Sequence, residues 1–291
     1  MYNKTENLIR SLPFWKNEIK IKAIKGGLTN QNFLVQENSK KFFVRLGDDM
    51  PEHNVSRSKE LIASNAAAEI GLSPAVIYNT KGVLILEYIE GAMLSTDSIV
   101  DKLESIISLI KKIHSEMSKK LYGHSVNFGA FDAIKRYAKL LINHKSSYTQ
   151  LLPSLLFQVD KLKINTSPYD IVFCHNDLIF TNFLDDEDRL WIVDWEYSGF
   201  NNPLFDLGDF ASHCNFSENK EIFLLENYFE KKIDSLLIKK YNAMKSASLL
   251  RETMWSMVSE ITSKIDFDYS KYTQDNLSKF KKSYENLNKN Q

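Results

Sequence analysis

The side chains best suited to chemistry in this chain lie within residues 173–194, which read FCHNDLIFTNFLDDEDRLWIVD. An apolar strand leads into His175 and Asp177, and Asn182 follows five residues after Asp177. A polar turn and a second apolar strand come next, and that strand ends on Asp194. The pattern H-x-D-x-x-x-x-N followed by a strand-terminal Asp is typical of kinase-type phosphotransferases.

Each of these residue types has a defined task in phosphoryl transfer. The carboxylate of Asp177 would receive the proton of a substrate hydroxyl, while Asn182 and Asp194 would hold Mg²⁺ on the phosphates of a nucleotide. His175 begins the motif, and we count it with Asp177 among the predicted catalytic residues. A His–Asp pair alone is usually turn chemistry, but the further Asn and Asp at these offsets are difficult to obtain by chance. The sequence therefore predicts an enzyme that uses ATP and Mg²⁺.

The composition is that of an ordinary globular protein without electrostatic bias. Lys+Arg and Asp+Glu both number 37 in 291 residues, so the net charge is zero and nothing favours a nucleic-acid partner. The two cysteines, Cys174 and Cys214, make no disulfide framework or metal-ligand cluster, which fits a reducing cytosol. The sequence has no long apolar run and no signal-peptide core, so we expect a cytoplasmic protein without membrane insertion. Nothing in the sequence constrains the oligomeric state.

Alternating apolar and polar residues predict a small sheet in the first part of the chain. Strands are predicted at 19–24, 32–36, 41–46, 75–78 and 83–88. One helix is predicted between the third and fourth strands, beginning near Ser56 or Ser58 and ending at Gly71, with Pro74 beyond its end. The character of the sequence changes near residues 87–91.

Beyond residue 95 the apolar residues recur at helical spacing. One apolar face is formed by Ile99, Leu103, Ile106, Ile107, Ile110 and Ile113. Further helices are predicted at about 203–212, 219–231, 234–265 and 272–288, which leaves the 173–194 hairpin as the only clear β-structure in this half. We therefore predict an α+β fold that is bilobal and protein-kinase-like. Its N-terminal lobe, 1–89, would carry the phosphate loop and hinge, and its helical C-terminal lobe, 90–291, the catalytic hairpin and the acceptor pocket.

The turn between the first two predicted strands is a candidate for the phosphate loop. It contains Gly26, Gly27, Thr29 and Asn30. Glycines there allow backbone N–H groups to approach phosphate oxygens, and the two polar side chains add donors. Two glycines between strands also form ordinary hairpins, so this signal is weak by itself.

Four further residues of the first lobe are predicted to serve the nucleotide. Arg45 lies on the third strand, where a cation would contact the phosphates. Glu60, on the following helix, would pair with Arg45 and orient it, unless it is a surface charge. Glu87 and Ile89 lie where the fifth strand ends, and the backbone of this hinge would bind the adenine edge by hydrogen bonds.

The chain resembles the choline/ethanolamine kinase family, which belongs to a wider group of small-molecule kinases that includes aminoglycoside phosphotransferases. The segment HNDLIFTN marks only the wider group. The segment DWEYSGFNNPLFDLGDF, followed by MW and DFDY, is more particular to choline and ethanolamine kinases. The matching segments are 26–35, 44–47, 71–78, 173–184, 192–210 and 249–269.

The resemblance implies roles for residues outside the catalytic motif. Asp206, in PLFDLGD, would brace the catalytic loop and is counted with the catalytic residues. Tyr197, Trp255 and Tyr272 would line the pocket for an ammonium head group together with Asp177, and the candidate carboxylates beside that cation are Glu196 and Glu252. A quaternary ammonium donates no strong hydrogen bonds, so its recognition relies on aromatic faces and a nearby carboxylate.

The leading hypothesis is therefore an ATP-dependent kinase that phosphorylates the hydroxyl of choline. Ethanolamine and thiamine kinases would use the same chemistry on another alcohol. An aminoglycoside kinase is less favoured, because its polycationic substrates call for an acidic C-terminal lobe and this lobe is rich in lysine. An inactive kinase-fold binding protein is disfavoured, because Asp177, Asn182 and Asp194 are all present.

Overall fold

The computed structural model describes residues 2–24, 27, 29–124 and 126–289, and it begins with a short helix and an antiparallel sheet. The helix is α1 (Tyr2–Arg10), and the strands are β1 (Ile19–Ile24), β2 (Gln31–Glu37), β3 (Lys40–Leu46), β4 (Val76–Thr80) and β5 (Val83–Glu87). Their spatial order is β1-β2-β3-β5-β4. Antiparallel neighbours allow short connections, which the polar turn between β2 and β3 provides.

Alternation along the strands places one apolar face of this sheet in a core of its own. Phe33 and Val35 of β2, Val44 of β3 and Ile85 of β5 are almost completely buried there. Val44 is paired with both Phe33 and Ile85 across the neighbouring strands. Cross-strand apolar pairs of this kind fix the register of a sheet, because a slip by one residue would turn every buried side chain outward.

Helix α2 (Arg57–Glu69) follows β3 in the chain but packs with the helical part of the protein. Its apolar residues Ala63, Ala66 and Ala67 are buried in the larger core. Arg57 and Glu60 lie in its first turn, close to the sheet. Helix α2 therefore connects the two cores and carries charged side chains at their junction.

The rest of the chain is mainly helical and surrounds the long helix α9. The helices are α3 (Ser98–Asp101), α4 (Leu103–Glu116), α5 (Ala130–Asn143), α6 (Leu152–Thr166), α7 (Pro203–His213), α8 (Glu218–Phe229), α9 (Ser235–Thr262) and α10 (Tyr269–Lys289). A Cβ at Gly208 of α7 would lie 2.7 Å from the Cα of Lys245 in α9. Glycine at this position therefore permits the close approach of the two helices.

Two small sheets beyond the first sheet carry the catalytic segment. One has the order β6-β8-β9, from β6 (Ala92–Met93), β8 (Phe183–Asp185) and β9 (Leu190–Ile192), and the other pairs β7 (Val172–Cys174) with β10 (Gly199–Asn201). The prediction of a single hairpin was therefore incomplete. The additional strands, β6 and β10, are two and three residues long, which is too short for a periodic signal.

The observed arrangement, an antiparallel sheet followed by a helical part, is the predicted α+β architecture. The division at residues 89 and 90 stays a prediction. None of the helices in the described part of the chain has the length and apolar content that a membrane crossing requires.

Candidate active site

A cavity of about 590 Å³ is lined by both the sheet and the helical part. One end is formed by β3, β5 and the turn after β1, and the other by α9, α10 and the segment after β9. Asp177 and Asn182 lie on the wall between these ends. We call the first the nucleotide end and the second the acceptor end.

The loop that carries Asp177 is fixed by a buried carboxylate. Asp206, at the N-terminal end of α7, accepts hydrogen bonds from the backbone N–H groups of His175, at 2.8 Å, and Asn176, at 2.7 Å. His114 of α4 also donates from Nε2 to Asp206, at 3.0 Å. Asn176 adopts a left-handed backbone conformation, with φ at 64°, which asparagine tolerates better than most residues other than glycine.

The side chains of His175 and Asp206 lie behind the cavity wall. Both are fully buried, and neither lines the cavity. His175 donates from Nε2 to the carbonyl oxygen of Val193, at 3.0 Å, and its ring packs on Trp195. It therefore connects the loop of Asp177 to the strand that precedes Asp194. We propose that both residues position the catalytic groups without touching the substrate.

Asp177 is a carboxylate with an unusual electrostatic environment. Its surroundings raise its pKa well above the ordinary value of 3.8, chiefly because burial disfavours the charged form. Glu252 and Asp209 act in the same direction, whereas Arg251 opposes them. An Arg251 nitrogen, Nη2, lies 3.6 Å from Asp177 Oδ1. A carboxylate with a raised pKa is a better proton acceptor than an exposed one.

Asn182 and Asp194 are held next to each other by the backbone. The N–H of Val193 donates to the carbonyl oxygen of Asn182, at 3.0 Å. The side-chain amide of Asn182 donates to the carbonyl oxygen of Asp177, at 2.9 Å, which orients the amide oxygen away from that bond. Asp194 has φ at 70°, a strained conformation for a residue other than glycine.

The electrostatic environment of the Asp194 carboxylate is one that a bound cation would stabilise. Its pKa is raised to about 7, first by burial and then by the charge of Glu196, while Arg45 and Arg57 lower it. A buried carboxylate and an amide oxygen are hard oxygen donors of the kind that Mg²⁺ prefers. The residues therefore fit the predicted magnesium role.

The nucleotide end is organised by a chain of charged groups. Arg45 of β3 forms an ion pair with Glu60 of α2, as predicted from the sequence. Burial lowers the pKa of Arg45 to about 10, so the guanidinium stays charged at neutral pH. Arg57 donates to the other oxygen of Glu60, at 2.7 Å, and to Asn30 Oδ1, at 2.7 Å. Two arginines thus lie beside the candidate phosphate loop.

Part of the predicted phosphate loop lies at the cavity. Gly27, Thr29 and Asn30 all line it, and Gly27 has φ at 89°. The side chain of Asn30 donates to Thr29 Oγ1, at 3.0 Å. Gly26 lies outside the described residues.

The predicted hinge residues Glu87 and Ile89 also line the cavity, where β5 ends. Apolar side chains surround them and provide flat surfaces on which a purine could lie. These side chains are Ile24, Leu84, Leu86, Met93, Ile179, Leu184 and Val193.

Glu196 lines the cavity but is engaged at the nucleotide end. Its Oε2 accepts from Arg57, at 2.8 Å, and from Asn30, at 3.0 Å. The structure therefore pairs Glu196 with the phosphate loop. The predicted role of this carboxylate beside the substrate cation is not supported by these contacts, and we propose instead that it anchors the loop.

The other predicted acceptor residues converge at the acceptor end. The indole N–H of Trp255 donates to the hydroxyl of Tyr197, at 2.8 Å, and the rings of Trp255 and Tyr272 lie edge to face at 6.5 Å. The Tyr272 hydroxyl donates to Glu252 Oε1, at 2.8 Å. Three aromatic rings and one carboxylate therefore line one pocket, as the aromatic-cage hypothesis requires.

Four residues that support the site escaped the sequence interpretation. Arg57 and Arg251 are described above, and Asp209 accepts from the backbone N–H of Leu178, at 3.1 Å. His53 stacks against Trp255 at 5.4 Å. Arg251 left a signal, because a charged pair, Arg251–Glu252, interrupts the otherwise apolar and small-residue stretch 246–259 of its helix. The others are brought in by long-range packing, which no local pattern reports.

One buried cluster has the residue types of a metal site but does not need a metal. The ligand atoms of His114, Cys174 and Asp206 lie within 4.8 Å of one another. Both ring nitrogens of His114 are engaged, with Asp206 and Tyr228. The backbone donors described above occupy Asp206, so hydrogen bonds account for the cluster.

The arrangement described here is that of a kinase-like phosphotransferase. The chain belongs to the choline/ethanolamine kinase family, because the family model described as choline/ethanolamine kinase matches residues 21–281. Membership of this family supports a phosphotransferase that acts on an alcohol group. The sequence prediction of the family is confirmed.

Sequence relatives of this chain include a bacterial protein and a mammalian ethanolamine kinase. Protein LicA of Haemophilus influenzae is 29% identical over 213 residues, which is 70% of this chain and 61% of that protein. Ethanolamine kinase 2 of Rattus norvegicus is 27% identical over 309 residues, which is 91% of this chain and 77% of that protein. The match thus spans less than two thirds of the length of the first of these relatives.

Solved structures confirm the predicted fold class. The choline kinase LicA from Streptococcus pneumoniae has a TM-score of 0.81 at 24% identity and covers 98% of this chain and 99% of its own. A crystal structure of LicA in complex with AMP has a TM-score of 0.77 at 22% identity, with 98% of both chains covered.

Proposed function

We propose that this protein transfers the terminal phosphoryl group of ATP to the hydroxyl of choline. The observation that carries the acceptor is the pocket of Tyr197, Trp255, Tyr272 and Glu252, which opens onto the same cavity as Asp177. Aromatic faces and one carboxylate suit a trimethylated cation. The names of the relatives support the same class of acceptor, although they include ethanolamine as well as choline.

In the proposed reaction, the hydroxyl oxygen of choline attacks the terminal phosphorus of ATP, and Asp177 accepts the proton of that hydroxyl. The bond from this phosphorus to the bridging oxygen breaks, and ADP leaves with the electron pair. The raised pKa of Asp177 suits this role, because proton transfer from an alcohol is easier to a stronger base. The carbonyl of Asn176 and the guanidinium of Arg251 hold the loop and its carboxylate in place.

The nucleotide would lie between the apolar hinge surfaces and the phosphate loop. Asn182 and Asp194 would hold Mg²⁺, which when bound neutralises charge on the phosphates. Arg45 contributes a fixed positive charge next to them, oriented by Glu60. Arg57 and Glu196 hold the side chain of Asn30 in place beside the phosphates.

Ethanolamine is the second candidate acceptor, and the relatives named ethanolamine kinases favour it. A primary ammonium donates hydrogen bonds, and Glu252 and the hydroxyl of Tyr197 are acceptors at the pocket. Choline is preferred here because the pocket presents three aromatic side chains.

The test is an ADP-release assay with choline, ethanolamine, thiamine and one aminoglycoside at equal concentration, with and without Mg²⁺. The expected result is the highest kcat/KM with choline and no turnover after chelation of Mg²⁺. A higher kcat/KM with ethanolamine than with choline would make ethanolamine the acceptor and leave the proposed phosphoryl transfer unchanged. ADP release with none of the four, in protein that still binds ATP, would favour the binding-protein hypothesis.

A further inference from the structure

A buried arginine lies at the acceptor end of the cavity. Arg251 of α9 is 1% exposed, and its guanidinium makes three directed contacts. It donates to Glu252 Oε2, at 2.9 Å, and to the carbonyl oxygen of Asn176, at 2.8 Å, and it lies 3.6 Å from Asp177 Oδ1. The same cation therefore touches the proposed base, its loop and the carboxylate of the aromatic pocket.

Aromatic rings hold this guanidinium in place. Its central carbon lies over the ring of Tyr197 at 5.5 Å and over the rings of Phe128 and Phe205 at 5.9 Å. Burial alone would lower the pKa of Arg251, but the charges of Glu252 and the other nearby carboxylates outweigh that effect and raise it. Arg251 is therefore a permanent positive charge with little freedom to move.

The acceptor end is lined by two carboxyl groups and one guanidinium. The carboxyl groups are those of Asp177 and Glu252, and the guanidinium of Arg251 contacts both. Asp209 also interacts with Arg251, but it lies behind the cavity wall. Its carboxylate accepts a hydrogen bond from the backbone N–H of Leu178, and its Oδ1 lies 3.7 Å from His213 Nε2. Because Arg251 pairs with Glu252, a ligand with one positive charge meets at most one unpaired carboxylate, and a second positive charge would have no partner there.

We propose that Arg251 is a specificity-determining residue that restricts the acceptor end to ligands with one positive charge. The inference rests on the proposed function, because it takes this end of the cavity as the acceptor site. Arg251 acts in two ways. It cancels the charge of Glu252, and it covers a face of Tyr197 that a second ligand cation would otherwise use.

Binding of three ligands that differ in charge tests this role. The ligands are 3,3-dimethylbutan-1-ol, which is neutral, choline, which carries one charge, and hexamethylethylenediammonium, which carries two. Their affinities are measured by calorimetry without ATP. The proteins are the wild type, Arg251→Met, Arg251→Lys and Glu252→Gln. The quantity compared is the dependence of log Kd on ligand charge.

A dication responds to a change in the potential of the pocket twice as strongly as a monocation. Arg251→Met should therefore lower the Kd of the dication by about tenfold relative to the Kd of choline. Glu252→Gln should shift the same ratio in the opposite direction. Arg251→Lys should keep the wild-type ratio, because it retains the charge. Affinity for the neutral alcohol should hardly differ among the four proteins.

An unchanged ratio in folded Arg251→Met would overturn the proposal, with folding checked by circular dichroism and thermal unfolding. If that variant does not fold, an unchanged ratio in Glu252→Gln overturns it instead. A changed ratio in Arg251→Lys would do so too, since geometry and not charge would then decide. The proposed function can fail separately, because calorimetry without ATP reports charge selectivity whether or not phosphate is transferred.

Discussion

The two ends of the cavity differ in the kinds of side chain that determine their electrostatic potential. At the nucleotide end, charged side chains from separate elements are joined by ion pairs and hydrogen bonds. Arg57, for example, contacts both Asn30 and Glu196. At the acceptor end, aromatic rings dominate, and the charged pair Arg251–Glu252 comes from adjacent positions of one helix. We propose that the first end takes the polyanionic nucleotide and the second a small cation, so that two ligands of opposite charge meet at Asp177.

The largest expected effect lies where the two ends meet. Asp177→Ala removes the proposed base, and kcat with choline should fall by about 10²–10⁴-fold. The affinities of ATP and of tetramethylammonium should change much less, because neither depends on proton transfer. ADP release and calorimetry measure the two properties separately. An unchanged kcat would show that another group accepts the proton.

The second prediction separates the ends by their stability. Asp194 has a folded pKa of about 7 against an ordinary value of 3.8. A raised carboxyl pKa means that the folded state holds the proton more tightly, so stability is lost as pH rises from about 4 to 7. Without Mg²⁺ at pH 8, Asp194→Asn should therefore stabilise the protein by roughly 1–3 kcal/mol, an advantage that disappears near pH 4. Urea unfolding at both pH values measures this.

The matched control is Glu252→Gln at the acceptor end. Glu252 is already paired with Arg251, at 2.9 Å, so its neutralisation leaves a buried guanidinium without that partner and should destabilise the protein. Opposite signs for the two substitutions are expected. If both stabilise, the acceptor end is as strained as the nucleotide end, and the contrast between them fails.

The third prediction concerns the aromatic pocket. Trp255→Ala should raise KM for choline by about tenfold and KM for ethanolamine less, because aromatic contact matters most for a cation that donates no hydrogen bonds. KM for ATP should stay the same. Trp191→Ala is the matched control, since Trp191 lies on β9 and stacks with Arg189 away from the pocket. Equal increases for both alcohols would remove Trp255 from the cage.

The sequence was sufficient for the parts of the site that local chemistry specifies. Asp177, Asn182 and Asp194 belong to one motif, and periodicity located the strands of the first sheet. The pairing of Arg45 with Glu60 followed from element order and is present. The acceptor residues came from resemblance alone, because a tryptophan on a helix has no local feature that distinguishes a cage from a core.

What remained hidden depends on contacts between distant parts of the chain. Glu196 was predicted as a candidate carboxylate beside the substrate cation, yet its side chain pairs with Arg57, 139 positions away. Asp209 and His53 act through buried contacts with Leu178 and Trp255. Single positions of this kind become visible only when the packing of helices is known.

The smallest expected effect tests the cross-linked nucleotide end. Arg57→Met removes contacts to Asn30, Glu60 and Glu196, so the phosphate loop loses its anchor and KM for ATP should rise about three- to tenfold. Arg57→Lys keeps the positive charge but loses the planar set of guanidinium N–H donors, so it should give an intermediate KM for ATP. KM for choline should not change, because no contact of Arg57 reaches the aromatic pocket among the described residues. Parallel increases in both KM values would show that the two ends are one coupled network.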